Sequence, residues 1–472
     1  MSSHHAVEAD IKEEPHNTNR AAKGISYYTP AQDPPAGTAL VTEDTKSVPK
    51  LFHPLKLRGL TLNNRIALSP LCQYSAQDGH YTMWVSKLLP FRLLIITVNE
   101  ILTHSQHQTH MGGIVQRGPG IACVEATAVT PQGRITPEDN GLWKDSQIEP
   151  LRVACEFAHS QGQKLMIQLG HAGRKASTVA PWLSSGAVAG KDLNGWPDDV
   201  YAPSAIAWNE HHANPREMTL QDIKDFKASF AASVKRALKA GFDAIEIHGA
   251  HGYLIHSFLS PVSNQRTDAY GGSFEKRTKL AVELVEETRA IIPKDMPLFF
   301  RISATDWLEE ASEIPESWTV EDTVKLAGIL ADKGLDVLDV SSGGNHPAQH
   351  PHTGPAYQAP FAIKVKKAVG DKLAVSVVGM VSDAKLANKL LEQDGLDLVD
   401  VGRGFQKNPG LVFAWADELG VQVQMPNQVC DYINSFRTTC SMLTTTFFYR
   451  FAGVSLAVPR NHLRSLSSTF RS

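Results

Sequence analysis

Two histidines and a tyrosine stand close together directly after a short apolar run that is typical of a buried strand. The run covers residues 244–247, His248 and His251 follow three residues apart, and Tyr253 comes two residues later. Neutral imidazoles can donate hydrogen bonds to one oxygen atom, and a nearby phenol can give up a proton. The residues between them are small, so a flat ligand can approach the backbone closely. Taken alone, the pattern also fits a metal-binding pair or two histidines satisfied in a core.

The charge balance and the cysteines exclude several classes of protein. The 472 residues carry 46 basic and 49 acidic side chains, a formal charge of -3, which argues against a nucleic-acid or polybasic membrane surface. The five cysteines are odd in number, scattered and without a CxxC pair, which predicts reduced thiols and no iron–sulfur cluster. The first residues lack the basic start and apolar core of a secretory signal, so a cytoplasmic location is expected.

Apolar runs alternate with polar loops and amphipathic helical patterns along most of the chain. Helices are predicted over residues 220–240, opened by Thr219 as a cap, and over 319–333. The apolar runs cover residues 66–68, 122–125, 165–168, 244–247, 298–302, 337–340, 374–378 and 398–401. Eight such units predict an α/β fold, a parallel (β/α)8 TIM barrel. A doubly wound sheet competes, but no GxGxxG opens a helix after the first run.

The domain organisation follows from composition. Residues 1–46 are polar and proline-containing and are expected to form an irregular extension. The barrel is expected over residues 47–428, preceded by a hairpin that turns around 57–60 and closes the barrel's bottom as an N-terminal lid. Residues 85–106 are an atypical insertion, and residues 429–472 are an atypical C-terminal tail with no Lys or Glu.

The residues that follow the strands are the candidates for chemistry, because a parallel barrel collects its site at the strands' carboxyl ends. Gly379 and the pair Gly402–Arg403 follow the seventh and eighth runs, where glycine turns before helices bind phosphate. Gln168 offers a donor and an acceptor to a ring edge. Arg301 can place positive charge beside a ring nitrogen and carbonyl, which favours a reduced flavin.

Four motifs together resemble the Old Yellow Enzyme family of FMN-dependent ene-reductases. The block over residues 246–277 matches the family signature, and the class of bacterial, thermophile-like relatives supplies the other three. These are Ser-Pro-Leu-Cys-Gln-Tyr at 69–74, Glu-Ala-Thr-Ala-Val at 125–129 and Gln-Leu-Gly-His-Ala-Gly-Arg at 168–174. The resemblance covers about residues 51–428, apart from the insertion.

The resemblance implies the cofactor, the roles and the reaction. The residues that it assigns to FMN are Ser69, Pro70, Leu71, Cys72, Ala126, Gln168, Arg301, Gly379, Gly402 and Arg403. Cys72 would lie beside the flavin and tune its potential, while Tyr74, His248, His251 and Tyr253 would face the substrate. NADPH or NADH would reduce the flavin, and flavin N5 would pass the hydride to the β-carbon of an α,β-unsaturated carbonyl compound. The two histidines would stabilise the enolate oxygen, and Tyr253 would protonate the α-carbon.

Two segments depart from the family pattern. Removing residues 85–106 joins Trp84 to His107 and restores an uninterrupted family loop and helix, which favours a retained intron over a true lid insertion. The segment is interrupted by Lys87, Pro90 and Arg92, so it does not fit a membrane span. The tail replaces a region in which the relatives usually carry an arginine, and in some of them this arginine reaches into the neighbouring subunit's site. A homodimer is therefore possible but doubtful.

Two other functions stay open at this point. One is a phosphate-binding lyase or isomerase without flavin, which would need a lysine or glutamate base. No lysine is found after a strand, because Lys164 precedes one. The other is a flavin-binding but catalytically impaired variant that acts as an interaction protein. The leading prediction is that the protein binds a small-molecule enone and that it binds no metal, nucleic acid or membrane.

Overall fold

A closed parallel barrel forms the centre of the protein. The computed structural model describes residues 20–41, 47–82 and 106–428. The strands of the described chain are β1 (Leu55–Leu57), β2 (Leu60–Leu62), β3 (Ile66–Leu68), β4 (Ile121–Ala128), β5 (Leu165–Gly170), β6 (Tyr201–Ala202), β7 (Arg216–Glu217), β8 (Ala244–Gly249), β9 (Leu298–Ser303), β10 (Val337–Ser341), β11 (Ala374–Val377) and β12 (Leu398–Val401). The predicted runs correspond to the eight barrel strands.

Each barrel strand pairs in parallel with its neighbours. The order is β3-β4-β5-β8-β9-β10-β11-β12, and β12 pairs with β3 to close the sheet. Buried strands such as β8 and β9 are hidden over their whole length, as expected for a parallel sheet covered by helices. The predicted TIM barrel is confirmed.

The predicted hairpin precedes the barrel. In it β1 pairs antiparallel with β2, and the turn between them contains Arg58 and Gly59. Leu57 and Leu62 are buried in a cluster with residues from the amino-terminal ends of the barrel strands. Those residues include Ile121, Met166, Phe299, Val337 and Leu398. The hairpin therefore closes the barrel's bottom and leaves the carboxyl ends of the strands free for a site.

Helices cover the outside of the barrel. They are α1 (Gln106–Val115), α2 (Ile148–Ser160), α3 (Leu220–Ala240), α4 (Leu254–Leu259), α5 (Phe274–Ile291), α6 (Val320–Asp332), α7 (Ala359–Val369), α8 (Ala384–Glu392), α9 (Arg403–Lys407) and α10 (Leu411–Leu419). The first residue before α3 is Thr219, whose hydroxyl accepts from the Asp222 backbone N–H while the Asp222 carboxylate accepts from the Thr219 N–H. Such a capping box stabilises a helix start by about 1 kcal/mol. Both predicted helices are confirmed.

The atypical segments fall largely outside the described residues. Of the predicted N-terminal extension, residues 20–41 are described, and Leu40 N donates to Gln422 O at 2.8 Å. The insertion and the tail lie outside the described residues, except that Gln106 begins α1, so the interpretations of both stay predictions. Thr82 is the last described residue before the insertion, and His107 is the first residue after it; Thr82 N donates to His107 Nδ1 at 3.2 Å. Within the described ranges, no helix is both long and apolar enough to cross a bilayer.

Candidate active site

The turn after β8 carries the two histidines and the tyrosine. His251 lies in the left-handed region with φ 60°, and Gly252 follows with φ 72°. A side chain at residue 252 would overlap the carbonyl oxygen of Gly344, so glycine is required there. Gly252 N donates to His256 Nδ1 at 2.9 Å, and His256 Nε2 lies 3.1 Å from the buried Asp306 carboxylate. This buried support fixes a turn that a non-glycine residue adopts only under strain.

The three predicted side chains meet, as the sequence indicated. The ring of His248 lies edge-on to the rings of His251 and Tyr253, with centroids 5.2 Å and 5.1 Å apart. His251 N donates to Ser303 Oγ at 2.9 Å, and His251 Nε2 lies 2.8 Å from Ser341 Oγ. Hydrogen bonds to β9 and β10 therefore hold His251 over the carboxyl ends of the strands. Over the described part of the chain, no group of three His, Cys, Asp or Glu residues is arranged to hold a metal ion.

Both imidazoles are neutral near pH 7. Burial, and then the nearby Arg301 guanidinium, lower the pKa of His248 and of His251 well below the usual value. A neutral imidazole has one N–H donor and one acceptor nitrogen. His248 Nδ1 is buried and has no hydrogen-bond partner within the described residues. Because an unpartnered buried polar atom is costly, this nitrogen is a candidate for binding a ligand atom.

Both predicted substrate-facing phenols keep their protons. Burial, and then the Cys72 thiol, raise the pKa of Tyr253 and of Tyr74 above the ordinary value. Tyr74 is in the left-handed region with φ 48°, and its ring lies edge-on to Trp182 at 5.5 Å. Tyr253 is the phenol in contact with His248, with ring centroids 5.1 Å apart.

Glu125 holds the loop that carries Cys72 and Tyr74. One carboxylate oxygen of Glu125 accepts from Gln73 N at 2.9 Å, and the other lies 2.9 Å from His107 Nε2. Both side chains of the His107–Glu125 pair are buried. The half-buried Cys72 thiol has its pKa raised by burial first and then by Asp139 and Glu125, so the thiol stays protonated at neutral pH.

Most of the residues predicted to hold FMN line one cavity of about 260 Å³ at the carboxyl ends of the strands. The FMN candidates in its wall are Ser69, Pro70, Leu71, Arg301, Gly379, Gly402 and Arg403, and His251, predicted to face the substrate, lines it as well. A second, smaller cavity is lined by Ala126, His248 and Tyr253. Gln168 and Cys72 do not line either cavity. The two cavities are adjacent through the contact between His248 and His251.

The cavity wall fits a phosphate-bearing, flat cofactor. Arg403 is exposed, and Arg301 is buried. Gly402 faces Leu71, whose side chain would lie 3.1 Å from a Cβ at residue 402, so a larger residue would narrow the cavity. Gly379 has φ 119°, which a residue with a side chain rarely adopts. The cofactor site predicted from the sequence is thus compatible with FMN.

Only one of the two glycine turns leads directly into a helix. Gly402 is the residue before α9. After β11, however, the next helix starts at Ala384, and Asp383 already caps it by accepting from Leu386 N at 2.8 Å. Gly379 lies in the loop between β11 and this helix. The sequence predicted a helix start at both turns, and the structure has one at the second.

Arg301 lies among three buried carboxyl groups inside the barrel. It donates to Ser69 Oγ at 3.1 Å, and its Nε is 3.1 Å from Asp339 without hydrogen-bond geometry. Burial, and then neighbouring carboxylates, raise the pKa of Glu246 and of Asp400, the latter to about 7. Gln168 donates to Glu246 at 2.8 Å, so the predicted ring-edge residue is held by this cluster.

Lys175 is a residue of the candidate site that the sequence did not predict. No lysine was expected after a strand, yet Lys175 follows β5 by five residues and reaches the candidate site. Its Nζ donates to the carbonyl oxygen of His251 at 2.9 Å and to that of Gly344. Burial, and then Arg174, lower the pKa of Lys175 to about 7. The available signal was its position directly after the family motif at 168–174.

Asp139 is a second residue that the sequence analysis missed. It is buried in the wall of the smaller cavity, where its carboxylate accepts from Ile135 N at 2.6 Å and from Thr136 Oγ1 at 2.9 Å. Burial raises its pKa to about 7. Nothing in the surrounding sequence marked this carboxylate, because its position depends on the fold of the loop after β4.

His171, in the third motif, is expected to make the folded protein less stable at acid pH. Its Nδ1 accepts from Gly173 N at 3.0 Å, so Nε2 carries the proton toward Tyr201 Oη, 2.9 Å away. Burial lowers its pKa to about 3, against about 6.5 when unfolded. Since the unfolded chain binds the proton first, stability is lost as the pH falls below 6.5. From pH 7 to pH 5 this group alone should remove about 2 kcal/mol.

Urea unfolding at pH 7 and pH 5 tests this. The His171→Gln variant should lose about 2 kcal/mol less than the wild type between the two pH values. His211→Gln, which changes an exposed histidine, should behave as the wild type. An equal pH effect in the wild type and in His171→Gln would contradict the assignment.

Glycine turns and a buried guanidinium beside neutral imidazoles are features of a flavin-dependent oxidoreductase, and comparison with known proteins assigns the family. The profile of the NADH:flavin oxidoreductase / NADH oxidase family matches residues 96–421. The chain therefore belongs to this FMN-dependent family, and it is an oxidoreductase. The alternative of a barrel lyase or isomerase without flavin is wrong.

Relatives and a solved structure agree with this assignment. An NADH:flavin oxidoreductase of Gibberella zeae is 55% identical over 419 residues, which cover 87% of this chain and 94% of that protein. An NADPH dehydrogenase of Bacillus subtilis is 37% identical over 382 residues, covering 80% of this chain and 98% of that protein. Morphinone reductase matches with a TM-score of 0.61 at 23% identity, over 81% and 92% of the two chains, which shows the barrel fold. The resemblance to the Old Yellow Enzyme family is confirmed.

Proposed function

We propose that this protein is an ene-reductase that uses NADPH or NADH to reduce the C=C bond of α,β-unsaturated carbonyl compounds. The observation that carries the proposal is the buried, unpartnered Nδ1 of His248 beside His251 and Tyr253. Two neutral imidazoles next to a phenol provide donors for a carbonyl oxygen and a proton for a neighbouring carbon. The names of the relatives, NADPH dehydrogenase and morphinone reductase, are consistent with such chemistry.

The cofactor is assigned to the larger cavity. Arg403 would bind the phosphate at the rim together with the backbone of Gly379 and Gly402, and Arg301 would place positive charge beside the ring. FMN, when bound, supplies the two-electron chemistry that links oxidation of the nicotinamide to reduction of the C=C bond. The chain contributes a buried guanidinium whose own charge is retained, because Asp339, Glu246 and Asp400 outweigh the effect of burial on its pKa.

The imidazoles bind and polarise the carbonyl oxygen of the substrate. Because both pKa values are lowered, His248 and His251 act as neutral donors. As the β-carbon is reduced, negative charge grows on the carbonyl oxygen, and donors already in place stabilise it without reorganisation. A donor of this kind contributes about 10²–10³ in rate.

Tyr253 provides the proton for the α-carbon. Its raised pKa keeps the proton on Oη until the substrate carbon takes it. Its contact with the His248 ring, at 5.1 Å between centroids, places the phenol beside the site of the carbonyl oxygen. The α-carbon is bonded to the carbonyl carbon, so a phenol in this position can reach it.

An absorption spectrum of the purified protein tests the proposal. The expected result is a bound-flavin spectrum that bleaches when NADPH is added under anaerobic conditions and returns when cyclohexenone follows. Bleaching without recovery by cyclohexenone would contradict enone reduction but leave the family assignment standing. Bound flavin that NADPH fails to bleach would support the impaired, non-catalytic alternative.

A further inference from the structure

We propose that Lys175 is a positioning residue that fixes the turn carrying His251 and Tyr253. The inference rests on the proposed function, since it concerns how the oxyanion donors are held. Nothing in the sequence pattern assigned Lys175 a role. Its side chain reaches the candidate site from the short helix Gly173–Lys175 after β5.

The ammonium group of Lys175 joins two loops that carry different parts of the site. Nζ donates to the carbonyl oxygen of His251 in the β8 turn and to that of Gly344 in the loop after β10. Trp208 Nε1 donates to the same Gly344 oxygen at 3.0 Å. One side-chain amino group therefore bridges the β8 turn and the β10 loop.

Two aromatic rings lie beside this amino group. Nζ lies 4.7 Å from the centroid of the Trp208 ring and 5.7 Å from that of the Tyr253 ring. A cation near the face of an aromatic ring is attracted by the ring's quadrupole. The same group thus contacts both His251 and Tyr253, one through its carbonyl oxygen and the other through its ring.

The β8 turn needs such support because His251 has φ 60° and a side chain. Ser303 accepts from His251 N, and His256 accepts from Gly252 N, so two backbone donors of the turn are fixed. Lys175 fixes the carbonyl oxygen between them. Without a donor at that oxygen, the peptide group between residues 251 and 252 keeps only the hydrogen bond from Gly252 N to His256. The turn that places the His251 imidazole is then held less firmly.

The same contacts argue against a nucleophilic lysine. A Schiff-base lysine needs its amine directed at the substrate. Lys175 Nζ instead makes two hydrogen bonds to backbone oxygens. Its role therefore lies in the geometry of neighbouring groups.

Three variants of the FMN-loaded full chain test the inference. Lys175→Met removes the charge and the donors, Lys175→Arg restores both, and Lys227→Met is the matched control. Lys227 is also a partly buried lysine with two partners, since its Nζ lies 2.9 Å from Glu283 and 2.8 Å from Glu287 on the outside of the barrel. The probe is para-nitrophenol, whose anionic oxygen resembles that of an enolate, with binding followed by absorbance.

Lys175→Met is expected to retain FMN and to bind para-nitrophenol about tenfold or more weakly, because misplaced donors lose much of their effect. Its kcat for cyclohexenone should fall by about the same factor. Lys175→Arg should recover binding to within about threefold of the wild type, and Lys227→Met should match the wild type.

Wild-type affinity for para-nitrophenol in FMN-loaded Lys175→Met would overturn the inference. So would a loss of FMN in Lys175→Met that Lys175→Arg does not reverse, because the lysine would then support only folding. An equal loss in Lys227→Met would overturn it as well. If the wild type itself neither bound the phenol nor reduced cyclohexenone, the proposed function would fail first, and the wild-type measurement alone would show it.

Discussion

Replacing both His248 and His251 with alanine is expected to leave FMN bound and to lower kcat for cyclohexenone by about 10³-fold or more. Each donor is expected to contribute about 10²–10³, and the combined loss is smaller than the product because the two act on one oxygen. FMN should be retained, because the phosphate contacts assigned to Gly379, Gly402 and Arg403 are unchanged.

Steady-state turnover and the flavin-to-protein ratio check this prediction together. The control is the double variant His53→Ala/His159→Ala, which removes two exposed histidines. His53 precedes the hairpin at the barrel's bottom, and His159 pairs with Asp243 just before β8, so neither is near the carboxyl ends of the strands. Turnover within about threefold of the wild type in the FMN-loaded His248/His251 variant would remove both histidines from the mechanism.

The barrel could be predicted from the sequence because its signals are local. Residues 244–247 are apolar and bounded by polar residues, which is how a strand buried on both faces appears. The helix over 220–240 has a sequence signal at both ends. Thr219 and Asp222 form the capping box at its start, and Gly241 ends it with φ 96°. Each of these features depends only on residues a few positions apart. The alternation of such units then limits the topology to very few arrangements.

The three residues of the candidate active site were predictable for the same reason. His248, His251 and Tyr253 belong to one strand end, so their proximity needs no long-range packing. The barrel geometry adds Ser69, Arg301 and Gly402, because all strands direct their carboxyl ends to one side. The sequence could therefore predict which strand ends meet, and the resemblance supplied the cofactor.

Contacts between distant loops could not be predicted in this way. Lys175 and the His251 carbonyl oxygen are 76 residues apart, and Lys175 and Gly344 are 169 apart. The direction of the lysine side chain depends on how three loops pack over the barrel. Asp139 likewise enters the wall of the smaller cavity through the path of the loop after β4. Residue types alone do not determine such paths, because many loop conformations suit the same polar residues.

The sequence pattern also does not explain the buried carboxyl groups inside the barrel. Asp339 and Asp400 stand in apolar runs that predict strands, and each side chain points into the barrel beside Arg301. Pattern analysis gives no reason for two carboxyl groups there. The structure gives one: the guanidinium keeps its charge because these groups surround it. Their own pKa values rise on burial, so part of the negative charge is lost, which lowers the cost of enclosing the cluster.

Tyr253→Phe is expected to lower kcat for cyclohexenone by about 10²-fold or more, because it removes the proposed proton donor and leaves the proposed oxyanion donors in place. The raised pKa of Tyr253 keeps its proton on the phenol at neutral pH. In the proposed reaction this proton goes to the substrate carbon, so water must supply it in the variant. Oxidation of NADPH with oxygen as the acceptor should stay within about threefold of the wild type, since no substrate carbon is protonated in that reaction. Stopped-flow and steady-state rates with both acceptors measure the two effects.

Tyr270→Phe provides the matched control, because it removes a hydroxyl that donates to Glu283 at 3.0 Å, away from the candidate site. This control should leave both reactions unchanged. A fall in both reactions in Tyr253→Phe would mean that the ring supports nicotinamide or FMN binding. An unchanged enone rate would mean that solvent supplies the proton, which would withdraw Tyr253 from the reaction while leaving His248 and His251 as the oxyanion donors. A lower rate with the enone and an unchanged rate with oxygen would support proton donation by Tyr253 over both of these alternatives.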